Sequence, residues 1–236
     1  MNDIYLIDNS NVLKNKLGIT DEKELDLAEA ELSRMNMMLL YDKGFDDFSP
    51  EGIKSIHKIL FQDVYDWAGE YRKINIRKRE KVLAGNSVWY SNVTEIDSDL
   101  KKVFSDIHEI KWEALDRELF VKKITRLFPK LCQVHPFREG NTRVTVMMLT
   151  FFVEHYGYYL DQELLAQSAG YVRDSFVMAS IGDYAEYEHL EMILNDAISK
   201  SPIDYSENNE VKTDKAEKYS KYKTDDYVPE KHEYTD

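Results

Sequence analysis

The chain has 236 residues, 43% of them hydrophobic and 12% aromatic, which is enough for one domain with a sizeable core. A formal net charge of −13 argues against a nucleic-acid or anionic-membrane partner, and a single cysteine, Cys132, excludes an internal disulfide framework and multi-cysteine metal sites. The longest apolar run, Val144 to Val153, is about half of the ~20 residues that a membrane span needs, and the polar N-terminus does not read as a signal peptide. A cytoplasmic protein is expected.

Residues 1 to 19 scatter Ile4, Tyr5, Leu6, Val12, Leu13 and Leu17 before Gly18 and read as a short helix or a docked arm. Thr20 with Glu24 makes an N-cap start, and apolar residues at helical spacing run from Leu25 through Met35, Met38 and Leu39 to Gly44. This predicts a long amphipathic helix whose methionines fill the core. Ser49-Pro50-Glu51 opens a second helix with Ile53, Ile56, Leu60, Val64 and Trp67 on its buried side and Gly69 at its end; His57 on it reads as structural. Residues 72 to 90 change character: Ile74-Asn75-Ile76 alternates, Arg77 to Lys81 is charged, Gly85-Asn86 signals a turn, and Val88-Trp89-Tyr90 resumes strand composition. The pattern predicts a β-hairpin.

Helical spacing returns from Asn92 to Lys111 and from Glu113 to Leu131, with Cys132 and Val134 expected in the core. A buried helix over Thr145 to Val153 breaks at Gly157, and further helices follow at Leu164, at Tyr171 to Met178 and at Tyr184 to Ile198. Tyr171, Arg173 and Asp174 are candidates to border a ligand. Beyond Ser199 aliphatic residues almost vanish, so residues 201 to 236 are expected to form a polar tail that buries little, separate from a helical domain over 1 to 200 with its core at about 50 to 198. Its tyrosines (Tyr205, Tyr219, Tyr222, Tyr227, Tyr234) are then accessible hydroxyls.

Between the helix that ends near Leu131 and the buried helix from Thr145 lies His135-Pro136-Phe137-Arg138-Glu139-Gly140-Asn141-Thr142-Arg143-Val144, which gathers a base, an acid, a glycine, an amide and cations in one short loop. A loop running into a helix N-terminus offers free backbone N–H groups and the positive end of the helix dipole to an anion, phosphate above all. His135 titrates near neutrality and suits a general base, and Glu139 offers a hard oxygen to a magnesium ion. Asn141 and Arg143 supply donors for phosphate oxygens.

This stretch resembles the signature of the Fic family, HxFx(D/E)GNxRxxR, matched here at His135, Phe137, Glu139, Gly140, Asn141 and Arg143. The run Leu60 to Arg72 is also similar to the family's segment upstream of its flap. The resemblance implies an all-α fold, a Fic-type helical bundle with a small β-hairpin flap beside the active-site loop, and transfer of AMP from ATP to a Tyr, Ser or Thr hydroxyl of a protein target, the protein itself included. It implies His135 as catalytic base, Glu139 as the Mg2+ ligand and Phe137 as the loop's anchor. Arg138, Gly140, Asn141, Thr142 and Arg143 fall on the nucleotide's phosphates, and Ile74, Asn75 and Ile76 on the flap that pairs with the target.

One departure stands out: the family's second motif arginine falls on Val146. That arginine meets the γ-phosphate and is the partner of the family's inhibitory glutamate, and no complete copy of the inhibitory pattern (S/T)xxxE(G/N) occurs in the chain. Activity without that control is expected. Phosphate transfer or another nucleotidyl transfer by the same fold is the alternative, and a nucleotide-binding module with little catalysis is a third reading. Monomer and dimer are both open.

Overall fold

The computed structural model describes residues 3–202, 219–225 and 227. Helix α1 (Glu22–Lys43) starts at Asp21, whose carboxylate accepts the Glu24 N–H, and stops at Gly44, which takes a positive φ of 77°. The cap falls one residue after the expected Thr20. The buried stripe of α1 is Leu25, Glu29, Ser33, Asn36 and Leu40, whereas Leu27, Met35, Met38 and Leu39 are more than half exposed. The expected methionine core is therefore wrong by a rotation of the helix. Polar residues take the inner face because each has a partner there: Asn36 donates to the Leu60 carbonyl and to Asp63, at 3.3 and 2.8 Å.

Helix α2 (Pro50–Phe61) has Ser49 as N-cap, its hydroxyl accepting the Gly52 N–H at 3.1 Å, and Pro50 at its first turn. It ends eight residues before the expected Gly69. The chain turns at Phe61 so that Val64 and Tyr65 point inward, and the Val64 carbonyl accepts the Lys16 N–H from the N-terminal arm. That arm is not helical; it is docked through Tyr5 and Val12, with a single bridge between Leu6 and Leu13.

The expected hairpin over 72–90 does not form. The backbone forms no strand as far as Glu80, which is itself extended, then closes in a 3-10 turn (Lys81–Leu83) with Ala84 and Gly85 at positive φ. Val82, Leu83 and Val88 are buried with Val177 and Met178, and this pull inward replaces the ladder that alternation predicted. The fold class is otherwise as read: α3 (Ile96–His108), α4 (Arg117–Leu127), α5 (Pro129–Val134), α6 (Asn141–His155), α7 (Gln162–Gln167), α8 (Ala169–Met178) and α9 (Glu188–Ala197) follow, and the described strands are two-residue pieces, β1 (Tyr159–Leu160) and β2 (Ile198–Ser199), paired antiparallel. Pro129 opens α5 two residues after α4 ends at Leu127.

The chain divides into two units that interleave in sequence: one takes residues up to Ile76, Ser91–Ser105 and Val134–Phe152, the other Arg77–Tyr90, Asp106–Gln133 and the chain from Val153. The first unit packs α1 against α2, with Phe61, Tyr65 and Phe137 fully buried and Tyr5 edge-on to Trp67 at 5.3 Å. In the second, Arg117 donates to the Ile198 carbonyl at 2.8 Å, tying the start of α4 to β2. Part of the tail belongs to this unit's core: Tyr222 is 6% exposed, donates to Asp196 at 2.6 Å and lies against Tyr171, and Tyr227 donates to Glu186. The expectation of a tail that buries little fails there; Tyr205 and Tyr234 lie outside the described residues.

Candidate active site

Helix α6 begins directly after Gly140, whose carbonyl accepts the Val144 N–H at 3.0 Å. The first-turn N–H groups of Asn141, Thr142 and Arg143 have no intrahelical acceptor and face the positive end of a fifteen-residue dipole. Gly140 is required twice. Its φ is +81°, and a Cβ there would stand 2.3 Å from Cζ of Phe61. Close approach of a ligand is the reason expected for this glycine from sequence; in the structure packing on Phe61 is the steric reason.

Asn141 also differs from its expected use. Its Oδ1 accepts the Phe137 N–H and its Nδ2 donates to the Phe137 carbonyl, both at 2.9 Å, so the side-chain amide closes the loop. A phosphate contact from this residue then falls to its backbone N–H. Phe137 itself is fully buried and stacks on His57 at 3.9 Å.

His57 is the residue that sequence reasoning set aside. Its Nδ1 accepts the Gly69 N–H at 2.8 Å, so Nε2 carries the proton and donates to the Glu139 carbonyl at 3.2 Å. Burial, the largest influence, lowers its pKa from 6.5 to about 3, which keeps the ring neutral in this bridging role. A histidine four residues before Phe61 and eighty before the loop gave no local signal of this contact.

His135 is buried at 8% exposure and takes a left-handed φ of 51°, a conformation that costs a non-glycine residue about 1–2 kcal/mol. Its carbonyl accepts from Arg72 Nε at 2.8 Å. Glu139 is half-buried, its Oε1 accepts the Gly140 N–H at 3.0 Å, and it lines a cavity of about 550 Å³ together with Arg138, Arg143 and the α1 residues Glu29, Ser33 and Arg34. Among the described residues no group of three or more His, Cys, Asp or Glu is placed to hold a metal. A magnesium ion at Glu139 fits only the mode in which one carboxylate, water and substrate phosphates share the coordination.

The two arginines are already engaged. Arg138 donates to Asp3 of the arm through Nε and Nη2, at 2.9 and 2.8 Å. Arg143 donates to Ser33 Oγ at 2.8 Å and to Glu29, which also accepts from the Tyr65 hydroxyl, and its guanidinium lies over the Phe61 ring at 4.8 Å. Glu29 and Ser33 thus reach Arg143 in the reverse of the order in the inhibitory pattern, so the chain does not match that pattern there. Thr142 and Val146 are half-buried on α6. Ile74 and Asn75 serve the first unit's structure: the Ile74 carbonyl accepts from Arg72, and Asn75 Oδ1 accepts the Val93 N–H at 2.8 Å; Ile76 is half-buried beside them. Arg173 pairs with Glu80 and Asp174 in the second unit, and Tyr171 bonds His189 at 2.9 Å.

A histidine, a carboxylate and a helix N-terminus gathered in one short loop are the set expected of a phosphate-handling enzyme of helical fold. The Fic/DOC family model matches residues 47–153, and this stretch of the chain is a Fic domain. It is 28% identical over 186 residues to a probable protein adenylyltransferase of Sinorhizobium fredii, covering 75% of this chain and 87% of that one. To the protein adenylyltransferase VbhT of Bartonella schoenbuchensis it is 29% identical over 185 residues, covering 78% of this chain and 36% of VbhT. Its fold is similar to the N-terminal Fic domain of a VirB-translocated Bep effector protein of Bartonella quintana with bound ADP, at TM-score 0.70 and 24% identity, covering 82% and 94% of the two chains.

Proposed function

We propose that the protein is an adenylyltransferase that moves AMP from ATP to a Tyr, Ser or Thr hydroxyl of a protein target, its own chain included. The observation that carries this reading is the loop itself: His135 at one end, the α6 N-terminus at the other, and Glu139 and Arg143 lining one cavity. The Sinorhizobium relative named for the same activity spans most of its own length in the match, which supports the reading.

In the reaction His135 takes the proton of the target hydroxyl as its oxygen bonds the α-phosphorus, and the bond from that phosphorus to the bridging oxygen breaks, releasing pyrophosphate. The N–H groups at Asn141 to Arg143 stabilise charge on the α-phosphate, and Arg143 meets the leaving diphosphate. Magnesium, held by Glu139, would supply charge neutralisation on the phosphates. Thr142 and Arg138 border the same phosphates in this reading, and the extended residues from Ile74 to Ile76 present backbone groups to the target. A cytoplasmic setting belongs to the proposal; among the described residues no helix is long and apolar enough to cross a membrane.

Purified protein and the His135→Ala form, given magnesium with α- or γ-labelled ATP, test it. Label from the α position, reduced at least about 100-fold in His135→Ala, is expected. Label arriving only from the γ position means phosphate transfer instead, the outcome that the valine at 146 and the engaged Arg143 make worth separating.

A further inference from the structure

We propose that Arg72 is a positioning residue that sets the register between the target-docking segment and the catalytic base; this rests on the adenylyltransferase reading for its activity arm alone. Arg72 is 2% exposed and among the largest fully buried side chains of the molecule. A guanidinium stays charged in a protein, so its burial is tolerated only where its donors are satisfied.

The donors go to separate stretches of chain. Nε donates to the carbonyl of His135 and Nη1 to that of Ile74, both at 2.8 Å, and Nη2 donates to the carbonyl of Ser91. The Arg72 backbone N–H adds a bond to the Pro136 carbonyl, also 2.8 Å. One residue therefore holds the peptide of the base, the first residue of the docking segment and the residue at which the chain comes back. A planar fork fixes direction as well as distance, which a lysine in the same place does not.

The base needs such a hold, because His135 sits at a positive φ that a side chain other than glycine leaves readily. Gripping the carbonyls of both His135 and Pro136 over-determines it. The docking segment is pinned at the same point: the Lys73 N–H bonds the Tyr5 hydroxyl at 3.0 Å, the Asn75 side chain holds Val93, and residues 73 to 76 alternate between exposed and half-buried. A target strand paired along it would arrive at a distance from His135 set by one guanidinium. The phosphate end of the loop is held by other means, the Asn141–Phe137 pair and the His57–Glu139 bond.

The consequence is a split between nucleotide binding and transfer. In Arg72→Gln, MgATP affinity measured by calorimetry is expected within twofold of the unaltered protein while α-label transfer falls at least 50-fold; Arg72→Lys, which keeps the charge and one contact, recovers part of the rate. Hydrogen exchange read by mass spectrometry is expected to rise only in peptides covering 72–76, 91–93 and 134–136. Transfer unchanged in both variants, MgATP binding lost in step with transfer, or exchange raised throughout the first unit would overturn the proposal and leave Arg72 a fold staple. Should the unaltered protein transfer no label, the adenylyltransferase reading fails, and the exchange pattern of Arg72→Lys still decides the role of Arg72: a local rise upholds it and a uniform one overturns it.

Discussion

The loop from His135 to Arg143 and the segment from Arg77 to Tyr90 are both irregular backbone, and they are held in opposite ways. In the loop, His135, Pro136, Phe137, Gly140 and Asn141 are buried, and its bonds run within the loop and to the N-terminal arm, α1, α2 and Arg72. In the segment, Arg77, Arg79, Lys81 and Trp89 are exposed, Trp89 by 59%, and the anchors are few: the Glu80–Arg173 ion pair, the Tyr90–Glu80 bond and the cluster of Val82, Leu83 and Val88. Chemistry that depends on placement sits on backbone fixed from every side. Recognition of a second chain suits backbone whose side chains face solvent on few supports.

The comparison breaks most directly at Gly140. Gly140→Ala must place a Cβ against the Phe61 ring and hold an alanine at φ +81°, so unfolding by denaturant is expected to show a loss of about 3 kcal/mol, the sum of left-handed strain and overpacking. AMP transfer should fall at least about 100-fold, since the α6 N–H groups lose their direction. An alanine variant with full stability would show that the loop is less constrained than its packing indicates.

A smaller effect tests the loop through pH. His57 has its folded-state pKa lowered to about 3 against 6.5 unfolded, so its contribution is fully present above pH 6.5 and is lost as pH falls toward 3. Between pH 7 and pH 4.5 that amounts to roughly 2–3 kcal/mol, measurable as a larger shift of the denaturant midpoint with pH than in His57→Gln, which carries no such titration. Equal pH dependence in the two proteins would mean that the ring is not buried neutral.

For the other region, Glu80→Gln removes one charge from a pair whose arginine is 48% exposed, so solvent screening limits the stability loss to about 1 kcal/mol. Nucleotide affinity should be unchanged while the Michaelis constant for a protein acceptor rises. A change in MgATP affinity would instead place Glu80 in the nucleotide's surroundings.

What could be read from sequence follows the same division. The loop was legible because its residue types are local and its role is written within ten positions, and the helices were legible from their spacing, down to the Ser49 cap. The turn over 77–90 was not, because Val82 and Leu83 answer to Val177 and Met178 nearly a hundred residues away. The rotation of α1 was missed for a related reason: Glu29, Ser33 and Asn36 are poor core candidates until Arg143, Leu60 and Asp63 are known to meet them. His57 and Arg72 acquire meaning only through the carbonyls of Glu139 and His135.

The smallest effect bears on Arg143, where the constrained loop meets α1. Glu29 is 7% exposed and, with Ser33, holds the guanidinium that the phosphates would use, while it also accepts from the Tyr65 hydroxyl. A carboxylate and a phosphate cannot both take the full charge of one arginine, so Glu29→Gln, which keeps the shape and the acceptor for Tyr65, should tighten MgATP binding about two- to fivefold, the equivalent of 0.5–1 kcal/mol for a part-exposed pair. In an Arg143→Ala background the same substitution should change nothing, because the gain acts through that arginine. Weaker binding in Glu29→Gln would reverse the assignment: the glutamate would then be aiming Arg143 at the nucleotide rather than competing for it, and the cavity beside Glu139 would be already set for its ligand.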